Sequence, residues 1–398
     1  MNKSIALADL GKAQTTALPI LLGLSFCHLL NDMNQSLLAA IYPTVKASMG
    51  LSYAQIGMVS LAYQAVASLL QPLVGIVTDR APRPHSLSLG MLFTLSGLLL
   101  LSVAGRYPLL ILAAMLVGTG SSIFHPESSR IARLASGGRH GLAQSLFQVG
   151  GNIGAACGPL LAAFIVGARG QGSLVWFIPV PLLACLLLWR IGDWAIAQGL
   201  TTRRRSAPVA AGGLSNRKRM QAMAILLLLI LSKYIYLASL GSYYTFYLIQ
   251  TFQLSVRQAQ VCLFVFLAAV ALGTIVGGPL GDRFDRKYVI WFSILGVLPF
   301  SMALPWVGLL PTVLLSIVIG LVLASAFSAI LVFGQELMPH RIGTVAGLFF
   351  GLAFGVGGLG AAGLGWLADH SSITFVYRLC GFLPILGLLA AFLPNLKR

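Results

Sequence analysis

The feature that most limits what this chain can fold into is its division into long stretches without a single charge. Uncharged runs cover 47–78, 84–105, 107–126, 140–168, 170–189, 234–256, 258–281, 288–335, 342–368 and 379–396. An apolar helix needs roughly 20 residues to cross the hydrocarbon of a bilayer, so each run accommodates a crossing. The run 288–335 carries Pro299, Pro305 and Pro311 and reads as two helices joined by a turn. With the charged flanks taken into account, twelve spans are predicted: 17–43, 54–78, 86–104, 108–133, 140–168, 173–194, 221–249, 257–281, 287–306, 312–336, 341–368 and 373–393. The chain is 58% hydrophobic and 9% charged, whereas a soluble domain carries about 25% charged residues. Alternating segments of about ten residues, the mark of a membrane barrel, are absent. Residues 1–16 are polar and the first span is too long for a signal peptide, so no cleavable leader is expected.

A net charge of +17 raises the question of nucleic acid, and its placement answers against it. If both termini lie on the cytoplasmic side, 20 of the 26 Lys and Arg residues fall in cytoplasmic segments, and only Lys46, Arg106, Arg169 and Arg257 face the other way. That bias is the positive-inside signature. A multi-pass protein of a bacterial inner membrane, with both termini cytoplasmic, is the expectation. The five cysteines lie inside predicted helices and form no CxxC pair, which suits small packing residues.

Residues 195–220 are the one long polar stretch, with Arg203-Arg204-Arg205, a Pro, two Gly and Arg217-Lys218-Arg219. They are predicted to be a cytoplasmic linker between six-helix bundles at 17–194 and 221–393, with cytoplasmic tails at 1–16 and 394–398. The two halves echo each other. Gly75-Ile-Val-Thr-Asp79-Arg80 ends the second span and Gly278-Pro-Leu-Gly-Asp282-Arg283 ends the eighth, 203 residues on. Arg139-His-Gly141 and Arg341-Ile-Gly343 open the fifth and eleventh. Parallel six-helix repeats of this kind mark a class of secondary transporters.

Few polar residues sit at bilayer depth, where an ionisable side chain costs about 2.5–3.5 kcal/mol even on lenient scales. Of nine acids, only Asp32 and Glu127 fall well inside spans, and Lys233 is the deep cation. His28 and Asp32 are four apart and share a helix face, which Gln35 extends. Such a pair suits loading and release of a proton; a static brace for the first helix is the alternative. His125-Pro126-Glu127 lies on the fourth span. Glu127 and His125 are candidates for proton coupling, against a plain ion pair of Glu127 with Arg130 or Arg133. Lys233 suits an anionic substrate, or an ion pair with Asp32 or Glu127. Tyr234, Tyr243 and Tyr244, together with Gln64 on the second span and Gln148 and Asn152 on the fifth, are candidates for substrate contact or for interhelical hydrogen bonds. Gly150, Gly154 and Gly158 form a stripe, as do Gly343, Gly347, Gly351 and Gly355, and Gly273, Gly277 and Gly281. Such stripes let helices touch closely. Asp79 and Asp282 are expected to cap neighbouring helix N-termini.

Gly75 to Arg83 and Gly278 to Lys287 resemble the loop motif of the major facilitator transporters, the second copy being the fuller. Gly150, Gly154, Gly158 and Pro159 resemble the fifth-helix motif of drug antiporters in that superfamily. Closer still, Cys27-His28-Leu-Leu-Asn31-Asp32, the run from Gly118 to Gly154, Ser232-Lys233-Tyr234, Ser242-Tyr243-Tyr244-Thr-Phe-Tyr247 and the run from Ser325 to Gly343 resemble the fosmidomycin-resistance transporters, over roughly 20–395. The resemblance implies an all-α membrane protein of the major facilitator fold, twelve transmembrane helices in two six-helix bundles, with the first, fourth, seventh and tenth lining a cavity. It implies proton-driven export of the phosphonate fosmidomycin, with Gly75, Asp79, Arg80, Gly278, Asp282 and Arg283 helping to latch the cytoplasmic side. One departure matters: Ala114 and Val117 stand where many drug–proton antiporters carry Arg and Gln before Gly118, so coupling must rest on other residues. A proton symporter of small organic or phosphonate anions is the alternative. No HExxH, GxSxG or phosphate-binding loop is present. The chain is expected to be no enzyme, to need no metal or cofactor, and to act as a monomer.

Overall fold

A computed structural model describes residues 15–51, 53–161, 165–166, 169–199 and 214–396. Most of the predicted linker, most of the N-terminal tail, the last two residues and the side chain of Pro159 lie outside this set. Among the described residues all regular structure is helical. We number the spans α1 Leu18–Ala40, α2 Tyr53–Arg80, α3 Ser86–Val103, α4 Tyr107–Ala135, α5 His140–Leu161, α6 Gln171–Ala197, α7 Asn216–Phe252, α8 Val256–Arg283, α9 Arg286–Trp306, α10 Leu309–Leu337, α11 Ile342–His370 and α12 Ile373–Phe392. The short helix Tyr42–Met49 follows α1. The proline-rich run 288–335 divides into α9 and α10 as its prolines predict, with Gly308 at the turn. Pro126 does not interrupt α4, which runs through it for 29 residues.

Ten of these spans are long and apolar enough to cross a membrane on those grounds alone. The other two are α1 and α5. They hold His28, Asn31, Asp32, Asn34 and Gln35, and Gln144, Gln148 and Asn152, which lower their apolarity. They also pack on each other more extensively than any other pair of helices. Polar groups that lipid would penalise are thus turned toward a neighbouring helix. Added methyl groups at Gly150, Gly154 and Gly158 would collide with Ser25, Leu29 and Ser36 of α1, so this stripe seats α5 on α1 within one half. Gly273 and Gly277 seat α8 on α10 in the same way within the other half.

The halves meet chiefly through α2 against α11 and α5 against α8. Gly75 touches the backbone of Gly343, Gly347 that of Gln71, and Gly278 that of Gly141. These approaches are closest at the end where α2 and α8 finish and α5 and α11 begin, which we call the latch end. Asp79 accepts hydrogen bonds from the backbone N–H groups of Gly343 (2.9 Å) and Thr344 (2.7 Å) and from the Thr344 hydroxyl (2.6 Å). Asp282 accepts from the N–H groups of Gly141 (2.9 Å) and Leu142 (2.8 Å). Each carboxylate therefore caps the first turn of a helix in the opposite half, where free N–H groups and the helix dipole favour negative charge.

Candidate proton and anion site

The latch end closes in layers. Arg130 donates to Asp79 (2.6 Å) and Thr78 (3.3 Å), and Arg286 bridges Asp282 (3.2 Å) and Glu336 (2.7 and 2.9 Å). Arg80 and Arg283, singled out by the loop motif, are exposed and take no part; Arg130 and Arg286 are the latch cations. Behind them lies a layer of amides and hydroxyls. Gln335 of α10 donates to Ser129 (3.1 Å) and accepts from Arg133 (3.3 Å), Gln144 donates to the Ser129 carbonyl (2.9 Å), and Ser145 donates to Ser328 (3.0 Å). Next comes an aromatic layer. Phe350 of α11 meets Phe147 of α5 at 6.2 Å between centroids and Phe327 of α10 at 5.1 Å, and it also meets the His125 ring at 5.2 Å. Nothing in the sequence distinguishes these phenylalanines from the other apolar positions of their helices.

Against this layer sit the predicted acid and its partners. The His28 ring stacks on Phe147 (4.1 Å), and its Nδ1 lies 2.7 Å from the Phe147 carbonyl. A carbonyl only accepts, so Nδ1 carries the hydrogen and, in the neutral ring, Nε2 carries a lone pair. His125 repeats the arrangement, with Nδ1 2.9 Å from the Ser121 carbonyl. Both Nε2 atoms point to one carboxylate: His28 Nε2 is 3.2 Å from Asp32 Oδ2, and His125 Nε2 is 3.7 Å from Asp32 Oδ1. Asn31 donates to the same Oδ1 (2.9 Å). With both rings neutral and Asp32 ionised, the buried site would crowd three acceptors together without a hydrogen between them. A single added proton turns the crowd into a hydrogen bond, and an unsatisfied buried polar atom costs about 1–3 kcal/mol. The three donor atoms lie within 4.8 Å of one another, a spacing that a metal ion could also span. Direct approach of Nε2 to Oδ2 at hydrogen-bond distance fits a shared proton better. Gly151 makes the approach possible, since a methyl group there would stand 2.5 Å from His28 Nε2 and 2.7 Å from Asp32 Oδ2. Sequence spacing pairs His28 with Asp32. That His125, 93 residues further on, completes the cluster is visible only in three dimensions.

Glu127 is fully buried, and Arg130 Nε approaches it at 3.5 Å without a hydrogen bond to either oxygen. Lys233 is 3% exposed, and among the described residues no carboxylate lies within ion-pair distance of it. Its ammonium rests instead over the rings of Phe327 (5.3 Å) and Tyr234 (5.4 Å). The Phe327–Phe350–His125 contacts thus join Lys233 in one half to the histidine cluster in the other. Among the described residues the Lys233 ammonium has its contacts with these aromatic faces.

The remaining candidates separate by how fully they are engaged. Gln35 accepts from the Tyr63 hydroxyl (2.6 Å) and leaves its Nε2 buried and without a partner. Gln64 and Gln148 each leave a buried Oε1 unpartnered. Asn152 donates across the halves to Thr274 (3.1 Å). Tyr243 gives its hydroxyl hydrogen to the Ala361 carbonyl (2.6 Å), and Tyr244, fully buried, gives its own to Ser316 (3.1 Å). Both tyrosines are thus tied within their own half.

Comparison with known proteins agrees with this architecture. The chain is 57% identical over 390 residues to the fosmidomycin resistance protein of Escherichia coli (strain K12), covering 98% of this chain and 96% of that one. It is 40% identical to the uncharacterized MFS-type transporter YfnC of Bacillus subtilis (strain 168), covering 96% and 95%. Among solved structures, the human organic anion transporter MFSD10 superposes with a TM-score of 0.75 at 14% identity, covering 96% of this chain and all of that one. The Escherichia coli fucose:proton symporter FucP superposes with a TM-score of 0.71 at 13% identity, with the same coverage. These two likenesses speak for the fold alone. Residues 24–362 match the Major Facilitator Superfamily, and the chain, with its apolar spans and its close relative, is a membrane transporter belonging to that superfamily.

Proposed function

We propose that this transporter exports fosmidomycin, an anionic phosphonate, in exchange for protons, and so confers resistance to it. The observation that carries the coupling is the His28–Asp32–His125 cluster, in which two ring lone pairs converge on one carboxylate and a proton is needed to satisfy them. The substrate comes from the 57% identical relative whose name records it. Lys233, which pairs with no acid among the described residues, supplies the positive partner for a phosphonate. Tyr234 beside Lys233 and Gln35 one turn beyond Asp32 are assigned to substrate contact, together with Gln64, Gln148 and Asn152. Tyr243 and Tyr244, whose hydroxyls are tied to Ala361 and Ser316, brace that half.

The two bundles rock about the site; the predicted linker 195–220 is shorter in the structure, since α6 runs to Ala197 and α7 begins at Asn216, and the connection lies on the cytoplasmic side of a bacterial inner membrane. In that orientation the latch end is cytoplasmic, and its closure is the arrangement an outward-facing state requires. Asp32 takes up its proton there, Glu127 carries a second acidic group toward the latch, and the drug binds as protons leave inward. One chain holds every residue the exchange uses, so a monomer suffices.

Drug susceptibility of cells that overexpress the chain tests the substrate: they should tolerate fosmidomycin better than cells with an empty vector. Inverted vesicles test direction. An acid lumen should drive fosmidomycin inward by exchange, whereas a symporter would expel it under the same gradient.

A further inference from the structure

We infer that Tyr63 is a positioning residue for the substrate, holding the Gln35 carboxamide so that its NH2 group faces the oxygen atoms of a bound anion. The inference rests on the export reading above and adds a residue that neither the loop motif nor the helix spacing picks out. Tyr63 lies on α2 and Gln35 on α1, and the Tyr63 hydroxyl donates to Gln35 Oε1 at 2.6 Å. A carboxamide held by its oxygen cannot turn over without losing that bond, so its nitrogen is directed the other way. Gln35 is 8% exposed, and its Nε2 is buried with no acceptor. Two N–H donors are therefore oriented and idle in a membrane interior, where an idle donor is costly.

Position supplies the rest. Gln35 lies three residues beyond Asp32 and on the same face of α1. Asp32, one turn back along α1 from Gln35, is the carboxylate on which the His28 and His125 rings converge. Tyr63 thus stands where the proton cluster borders the fixed carboxamide. An oxygen-rich anion is the ligand class that the two N–H donors of this fixed carboxamide would accept. A neutral apolar drug would leave those donors unpaired.

The test is a double-mutant cycle on radiolabelled fosmidomycin uptake by inverted vesicles. Tyr63→Phe keeps the ring and removes only the hydroxyl; Gln35→Ala removes the carboxamide. Each should raise the KM about fivefold, the worth of one hydrogen bond, with the maximal rate within about twofold of wild type. Because Tyr63 acts through Gln35, the double variant should have the KM of Gln35→Ala alone. Multiplying losses, an unchanged KM in Tyr63→Phe, or a fall in maximal rate alone would overturn the assignment while leaving fosmidomycin export standing. A wild-type protein that moves no fosmidomycin would overturn the export reading and this inference together.

Discussion

Replacing Asp79 by Ala should open the latch end. The carboxylate accepts three hydrogen bonds from the first turn of α11 and pairs with Arg130 at 2.6 Å. Arg130 is 6% exposed, and among the described residues the other acid beside it, Glu127, stands at 3.5 Å from Nε. Removing one partner of a buried ion pair costs about 3–5 kcal/mol, because the other charge is left without a match. Loss of the cap adds about 0.5–2 kcal/mol. These interactions join the halves in this state, so most of the loss should appear as a shift in the conformational equilibrium. About 4 kcal/mol moves a two-state ratio by roughly a thousandfold. Distances between spin labels on the α2–α3 and α10–α11 loops in detergent or nanodiscs would read the shift. The wild type should give a single short distance and Asp79→Ala a long one. Asp79→Asn, which keeps an acceptor oxygen and loses the charge, should fall between them. An unchanged distance in Asp79→Ala, in a protein that still folds, would refute the view that the cap holds the halves together.

Three further outcomes follow from the geometry. Lys233→Ala should weaken binding of fosmidomycin by roughly 10- to 100-fold, the worth of a charged hydrogen bond, and barely affect a neutral substrate; equal losses in a binding assay would count against anion contact. Gly347→Leu should abolish transport with the protein still inserted, because even a Cβ there meets the Gln71 backbone and stands 3.0 Å from Pro72 N; retained transport would show that α2 and α11 need not stay in close contact. Phe350→Ala should let protons cross without drug, since its ring separates the histidine cluster from the amide layer of the latch. A proteoliposome pH-dye assay without substrate would show the leak, and a tight variant would argue against the aromatic layer as a barrier.

The fold was legible because lipid imposes a simple rule on sequence: charge-free length means a crossing, and the repeat of the Gly–Asp–Arg segments at 75–80 and 278–283 means two halves. The acids of the latch were legible too, since an Asp at a helix end has few other uses there. The cations were not. The dipeptides Asp79-Arg80 and Asp282-Arg283 draw attention to the neighbour in sequence, yet the neighbours in space are Arg130, on another helix, and Arg286, a turn further on. His28 and Asp32 share a face by helical geometry alone, whereas His125 joins them through tertiary packing that no local spacing encodes. Tyr63, Phe327 and Phe350 were invisible for a different reason. An aromatic side chain in an apolar helix is ordinary, and only the group it touches makes it specific. The glycine stripes divided unexpectedly: 150, 154 and 158 fasten α5 to α1 inside one half, and the contact between halves falls to Gly75, Gly141, Gly278, Gly343, Gly347 and Gly351.

The claim on which the mechanism depends is that Asp32, braced by two histidine rings, carries the exchanged proton. Purified protein in liposomes containing a pH dye, challenged with fosmidomycin outside, measures this directly. Wild-type protein should make the lumen alkaline as drug enters and protons leave. Asp32→Asn should give no dye response while still exchanging labelled for unlabelled drug, and a response equal to wild type in that variant would contradict the account.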